Sequence, residues 1–316
     1  MATNRQVWEV KEPYLNAHCL LGEGPFYETE SNSVRFVDIR KRQLLTVDLA
    51  AGPSSLQVLQ LDLAISVTAD IRGVDPREQV LAGLKHGLAV LDRKTGSYEY
   101  VRKFSECANT SGDVAADAID YNRVRGNDGA ADPHGRFWLG TMTDFDLGEF
   151  QPEGALYRFD GAKSGELTQA GLTIPNAIGW SPDGSVMYFT HTTANTLYAF
   201  DYSPVDGSLS NRRALYVHPG PGSPDGFRVD VDGYIWHAIY GGSCVLKISP
   251  VDGRVVGEVR PPTPNITCTQ FVGTELFITT AANKEDTPEP DVLGGALFRI
   301  DVGVKGLPPY RFHKDT

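Results

Sequence analysis

The sequence contains no long apolar run. Nothing in it approaches the ~18 consecutive apolar residues of a membrane-spanning helix. The opening MATNRQVWEVKEPY also lacks the roughly 7–15-residue apolar core of a secretory signal. Cysteine is scarce and scattered: Cys19, Cys107, Cys244 and Cys268 form no C-x-x-C pair, which argues against a disulfide framework or a thiolate zinc site. Positive charge is short as well. The chain has 29 Lys+Arg against 40 Asp+Glu, a formal charge of -11, which disfavours nucleic acid phosphates and anionic lipid as partners. No P-loop, GxGxxG, HExxH or GxSxG signature occurs, and the seven histidines show no ligand spacing. These absences predict a soluble, cytoplasmic protein with reduced thiols and no nucleic acid or membrane partner.

Turn formers are abundant, with 33 glycines and 20 prolines in 316 residues. Three segments align with one another: GNDGAADPHGRFWLGTM, PNAIGWSPDGSVMYFTHT and PDGFRVDVDGYIWHAIYG. Their turn glycines, Gly135, Gly184 and Gly233, recur every 49 residues. Looser matches occur at Glu30-Ser31-Asn32, at Asp75-Pro76-Arg77-Glu78 and at Val272-Gly273, which makes six turns. A second marker follows each turn: QLLTVD, GLAVLD, GALYRFD, NTLYAFD, CVLKISP and GALFRID. Such short runs, rich in Val, Leu, Phe and Tyr and bounded by glycine turns, read as hairpin strands. Six all-β repeats of this length predict a six-bladed β-propeller, with four-stranded antiparallel blades around a central channel. The propeller is expected to occupy residues 1–316 as one domain, with about the first 15 residues closing or flanking it. A closed ring leaves few bare sheet edges, so a monomer is expected. The longest insertion, between Lys103 and Tyr121, predicts a loop or short helical excursion on one face.

The repeat also locates the candidate chemistry. Eight residues before the turn glycines stand Asn127, Asn176 and Asp225, and the same count back from Gly273 reaches Asn265. Equivalent positions in successive blades form a ring, and at the start of the innermost strands they would face the channel mouth. In the first repeat Glu23 is the nearby carboxylate, flanked by glycines in LLGEGPFY. Glu23, Asn176 and Asp225 together supply two carboxylates and a carboxamide. That set suits a hard divalent cation: Ca²⁺, Mg²⁺, Mn²⁺ or Zn²⁺. The alternative is that Asn and Asp at these positions cap local backbone groups. Arg125 shares a strand face with Asn127, two residues on, and would bind an oxygen-rich ligand or form a salt bridge to a neighbouring blade.

LLGEGPFY, RGNDGAADPHGRFWLGTM, IPNAIGWSPDG, SPDGFRVDVDGYIWHAIYGGSCVLKISPVDG and GGALFRIDVGVKGLPPY resemble the SMP-30/gluconolactonase/regucalcin family, in order and over most of the chain. The resemblance implies a six-bladed propeller with one catalytic divalent metal at the channel mouth, acting on a small-molecule sugar lactone. It implies Glu23, Asn176 and Asp225 as metal ligands, and Arg125 and Asn127 as substrate contacts. On chemical grounds Asp225 is the expected base, the variant being a metal-bound water that Asp225 only orients. The family often places an acidic residue after its GTM motif. Here GTMTDFDLGEF puts Phe145 at that position, which leaves Asp144 and Asp146 on either side as the candidate contacts. Alternatives on the same fold are a metal-dependent esterase or organophosphate hydrolase, and a non-enzymatic Ca²⁺-binding regulatory protein.

Overall fold

A computed structural model describes residues 5–162, 164–283 and 293–315. It consists of six small sheets. The first blade comprises Gly22–Glu28, Ser33–Asp38, Gln43–Asp48 and Gln57–Gln60, and the second Ile65–Ala69, Gln79–Leu84, Gly87–Asp92 and Tyr98–Lys103. The third runs through Val124–Ala131, Phe137–Thr143, Gly154–Asp160 and Ser164–Leu172, and the fourth through Pro175–Trp180, Val186–His191, Thr196–Tyr202 and Leu209–Val217. Ser223–Val229, Ile235–Tyr240, Cys244–Ile248 and Val255–Arg260 form the fifth. The sixth has Ile266–Val272, Glu275–Thr280 and Phe298–Asp301. Each first strand touches the first strand of the next blade, and that of the sixth touches that of the first. The chain is therefore a six-bladed propeller. Among the described residues no helix is long and apolar enough to cross a membrane.

Strand number departs from four per blade. The fifth blade gains a parallel outer strand from Gln6–Glu9, and the third gains Ala108–Asn109. In the sixth blade, Leu15 pairs antiparallel with Leu297 at the edge of the third strand, so residues from the start of the chain close the ring. The insertion between Lys103 and Tyr121 is made of two 3-10 turns, Phe104–Glu106 and Val114–Ala118, flanking the short Ala108–Asn109 strand. The other end of the chain crosses the far mouth of the channel. There Leu307 donates to the Val229 carbonyl, Phe312 to Asp70 and His313 to Gly135.

All six turns lie between the first and second strands of their blades, and the second marker is the third strand of each. Two of these hairpins show why the sequence turns there. Asp132 Oδ1 accepts from the backbone N–H of His134 and Arg136, while its Oδ2 accepts from the Trp138 indole at 3.2 Å. Asp230 does the same for Asp232, Tyr234 and the Trp236 indole at 2.9 Å. One carboxylate thus caps the turn and pins the aromatic side chain of the next strand, while Gly135 and Gly233 take the positive φ the turn requires.

One further repeat carries the chemistry. In every blade the pairing between first and second strands slips once, near the start of the first strand, at a β-bulge. A bulge leaves residues unpaired and re-aims their side chains. The residues at these slips include Gly24, Ser66, Asn127, Asn176, Asp225 and Thr267. Gly226, beside Asp225, is required by close approach, since a Cβ there would lie 2.3 Å from Cys268 Sγ on the next blade.

Candidate active site

Bulges at one end of the inner strands and the loops joining second to third strands surround a cavity of about 290 Å³. That is the low end of the roughly 300–1,000 Å³ of small-molecule sites, so it takes a single small ligand. Glu23, Arg125, Asn127, Asn176 and Asp225 all line it. Asn265 does not. Its amide donates to the Ala282 carbonyl at 2.8 Å, because the sixth blade turns in two residues and Gly273 stands earlier in its hairpin than the other turn glycines do.

Glu23 and Asp225 are buried, and so is Asp128, which the sequence reading passed over. Burial pushes the Glu23 carboxyl well up, and the neighbouring Asp225 and Asp128 add repulsion. Asp225 is raised well up by burial and then by Asp128. The polar contacts nearby do not answer this charge. Glu23 Oε2 accepts from the Gly24 N–H at 3.0 Å, and Asp225 Oδ1 accepts from Asn176 Nδ2 at 2.5 Å. The nearby cation, Arg228, is held by the Phe227 and Pro25 carbonyls and by Gln270. Three buried, mutually repelling carboxyls favour binding protons or a cation.

The carboxamide is oriented for the same purpose. Asn176 Nδ2 reaches both Asp225 and Thr192 Oγ1, at 3.0 Å for the latter, while its buried Oδ1 has no hydrogen-bond donor. An orphaned amide oxygen beside two proton-hungry carboxylates fits a hard divalent ion. Among the described residues no group of three or more His, Cys, Asp or Glu side chains has ligand geometry, so the candidate set depends on this carboxamide. Below it, His237 is fully buried, which lowers its pKa to about 3 and keeps the ring neutral. Its Nε2 lies 3.2 Å from the Asp225 carbonyl oxygen and 3.0 Å from Thr190 Oγ1, supporting the bulge from behind.

Arg125 is buried, and its Nη1 donates to the Gly126 carbonyl and to Asn127 Oδ1 at 3.1 Å. Asn127 Nδ2 in turn donates to the Pro175 carbonyl of the fourth blade at 3.0 Å. Burial lowers the guanidinium to about 10, so it stays protonated at neutral pH. The loop after Met142 places the two candidate carboxylates outside the cavity lining. Asp144 is held by Lys85 Nζ at 2.5 Å, and its Oδ1 remains 4.0 Å from Arg125 Nε. The Asp146 side chain is 90% exposed on a residue of positive φ. Neither carboxylate lines the cavity; Phe145 between them does. Arg40 and Thr192 were also missed. Both sit where a second strand leads to a third, the segments that share this end of the propeller with the bulges.

The SMP-30/Gluconolactonase/LRE-like region matches residues 21–282. The chain belongs to this family. Within it, the chain is 32% identical to pentonolactonase XacC of Haloferax volcanii, over 94% of this chain and 96% of that protein. Regucalcin of Bos taurus is 29% identical over 94% of this chain and 95% of its own length. A solved luciferin-regenerating enzyme is 26% identical and superimposes with a TM-score of 0.79, covering 93% of this chain and 96% of the other. The matched region contains all six inner-strand bulges, including those that carry Asn127, Asn176 and Asp225.

Proposed function

We propose that this protein is a divalent-metal-dependent lactonase, a carboxylic-ester hydrolase that opens a sugar lactone to its open-chain acid. The observation carrying this reading is the convergence of Glu23, Asp225 and the orphaned Asn176 Oδ1 on the floor of a small cavity that Arg125 also lines. The similarity to a pentonolactonase supports the substrate class. The small volume and polar floor favour it over a broad-pocket esterase.

Glu23, Asn176 and Asp225 are the residues that would hold the ion. An ion held there would supply Lewis-acid chemistry at the ester carbonyl and offset negative charge on its oxygen. Asp225 accepts a proton from water as the water oxygen bonds to the carbonyl carbon. The ring C–O bond then breaks and the proton passes to the departing ring oxygen, which becomes a hydroxyl. Arg125, fixed by Gly126, Asn127 and Met142, donates to substrate oxygens and holds the ring in reacting position. Asn127 orients that guanidinium while tying the third blade to the fourth.

The test is acid release, followed with a pH indicator, over a panel of 1,4- and 1,5-aldonolactones. Chelated protein is expected to be inactive, and one of Zn²⁺, Mn²⁺, Mg²⁺ or Ca²⁺ to restore turnover. Turnover undiminished by chelation overturns the metal requirement, and none on any lactone overturns the reading. A linked prediction concerns stability. Glu23 and Asp225 have folded-state pKa values raised above those of the unfolded chain, so the metal-free fold is destabilised as pH rises from about 4 towards those raised values. A bound cation replaces the protons. The rise in Tm on adding metal should therefore be larger at pH 8 than at pH 5; an equal or smaller rise at pH 8 contradicts the assignment of these carboxylates as ligands.

A further inference from the structure

The cavity lining mixes two kinds of side chain. Glu23, Arg125, Asn127, Asn176 and Asp225 are polar, whereas Leu21, Ile39, Met142, Phe145 and Phe150 make an apolar wall, beside which Arg40 also lines the cavity. Phe145 is anchored there, packing against the apolar cluster of the first two blades that contains Ile39 and, at its margin, Leu21. Two guanidiniums lie over its ring, the Arg125 carbon 4.2 Å from the centroid and that of Arg40 4.3 Å. Of the Arg125 nitrogens beside this wall, Nη1 is engaged with two oxygens and Nη2 with Met142 Sδ at 3.3 Å, which leaves the buried Nε as the donor without a partner. A substrate hydroxyl pressed against Phe145, Met142 and Ile39 would give up its water and gain no oxygen or nitrogen partner from them, whereas a methyl group would gain contact.

We propose that this wall receives a carbon of the substrate that bears no hydroxyl. The preferred lactones are 6-deoxyhexonolactones, which end in a methyl where the parent sugar lactone ends in a hydroxymethyl, and Phe145 is the specificity-determining residue. This rests on the lactonase reading and sharpens it. The two nearest carboxylates do not restore hydroxyl recognition, because Asp144 is paired with Lys85 and Asp146 points to solvent.

The experiment uses metal-loaded enzyme and pairs of lactones with the same ring size and configuration, differing only in methyl against hydroxymethyl at C6. In the best-used pair the methyl compound should have a kcat/KM at least about tenfold higher, the scale on which a pocket discriminates one small group. Phe145→Gln supplies a donor and an acceptor at the wall, and should bring the ratio to about one or below by raising kcat/KM for the hydroxymethyl member. Phe145→Leu, which stays apolar, should keep the preference. A wild-type ratio near one, or a ratio unchanged in Phe145→Gln, overturns the inference and leaves the lactonase reading intact. Failure to open either member of any pair overturns both.

Discussion

Asp225→Asn should bring lactone hydrolysis down by about 10²–10⁴-fold in kcat, the range for loss of a positioned general base. The substitution keeps the shape and a carbonyl oxygen able to ligate, so metal content measured alongside separates loss of the base from loss of the ion. Retention of more than about a tenth of the rate, with metal bound, would exclude Asp225 as the base. A second effect runs the other way. Asp225 is a buried acid pressed against Asp128, and at neutral pH its ionisation opposes folding in the absence of metal. Metal-free Asp225→Asn protein should therefore melt above the metal-free parent. That combination, less activity with more apo stability, is expected of a residue kept for chemistry.

Arg35→Leu should cost about 3–5 kcal/mol of stability, the usual consequence of removing one partner of a buried ion pair. Arg35 is fully buried, and its Nη1 donates to Glu28 Oε1 at 2.6 Å and to Asp70 Oδ1 at 2.8 Å. Its Nε donates to Thr68, and the guanidinium lies 3.9 Å from the Phe26 ring centroid. Leucine in its place leaves Glu28 with Arg93 and the Ser31 hydroxyl, and removes the arginine from the buried Asp70. The group joins the first blade to the second at the opposite end of the inner strand from Glu23. At about 3.3 Å per residue it lies some 16 Å from the cavity, so KM should hold while the denaturation midpoint falls. A change in stability below about 1 kcal/mol would mean that Arg93 and neighbouring groups compensate for the loss.

The propeller was legible because its hairpins are stereotyped. A glycine of positive φ and, in two blades, one aspartate capping both turn and tryptophan leave a mark that repeats every 49 residues. Asn127, Asn176 and Asp225 were legible for a related reason: three blades have the same distance from bulge to turn. The count failed at Asn265 because the sixth hairpin is shorter, and the bulge there falls at Thr267. Asp128 was hidden because neighbouring residues in a bulge do not alternate as in a regular strand, so the Asp after Asn127 turns inward as well. The loop from Asp144 to Phe150 has no repeat to set its phase. Its side-chain directions follow from Lys85, Arg40 and Arg125, which come from other parts of the sequence.

The pairing of Leu15 with Leu297 has a consequence for the order in which the protein is made. The ring is fastened by residues that leave the ribosome nearly a whole chain apart. Earlier blades can form hairpins and stack as they emerge, since each is local in sequence, but the sixth lacks its outer edge until the last strand arrives. Leu15 must wait for its strand partner while the intervening blades are made. Burial of Leu297, Phe277 and Cys19 in the cluster beneath that seam is then among the latest events. For most of its synthesis the nascent protein is an open arc, and its two bare flanks are the surfaces a chaperone would have to shield.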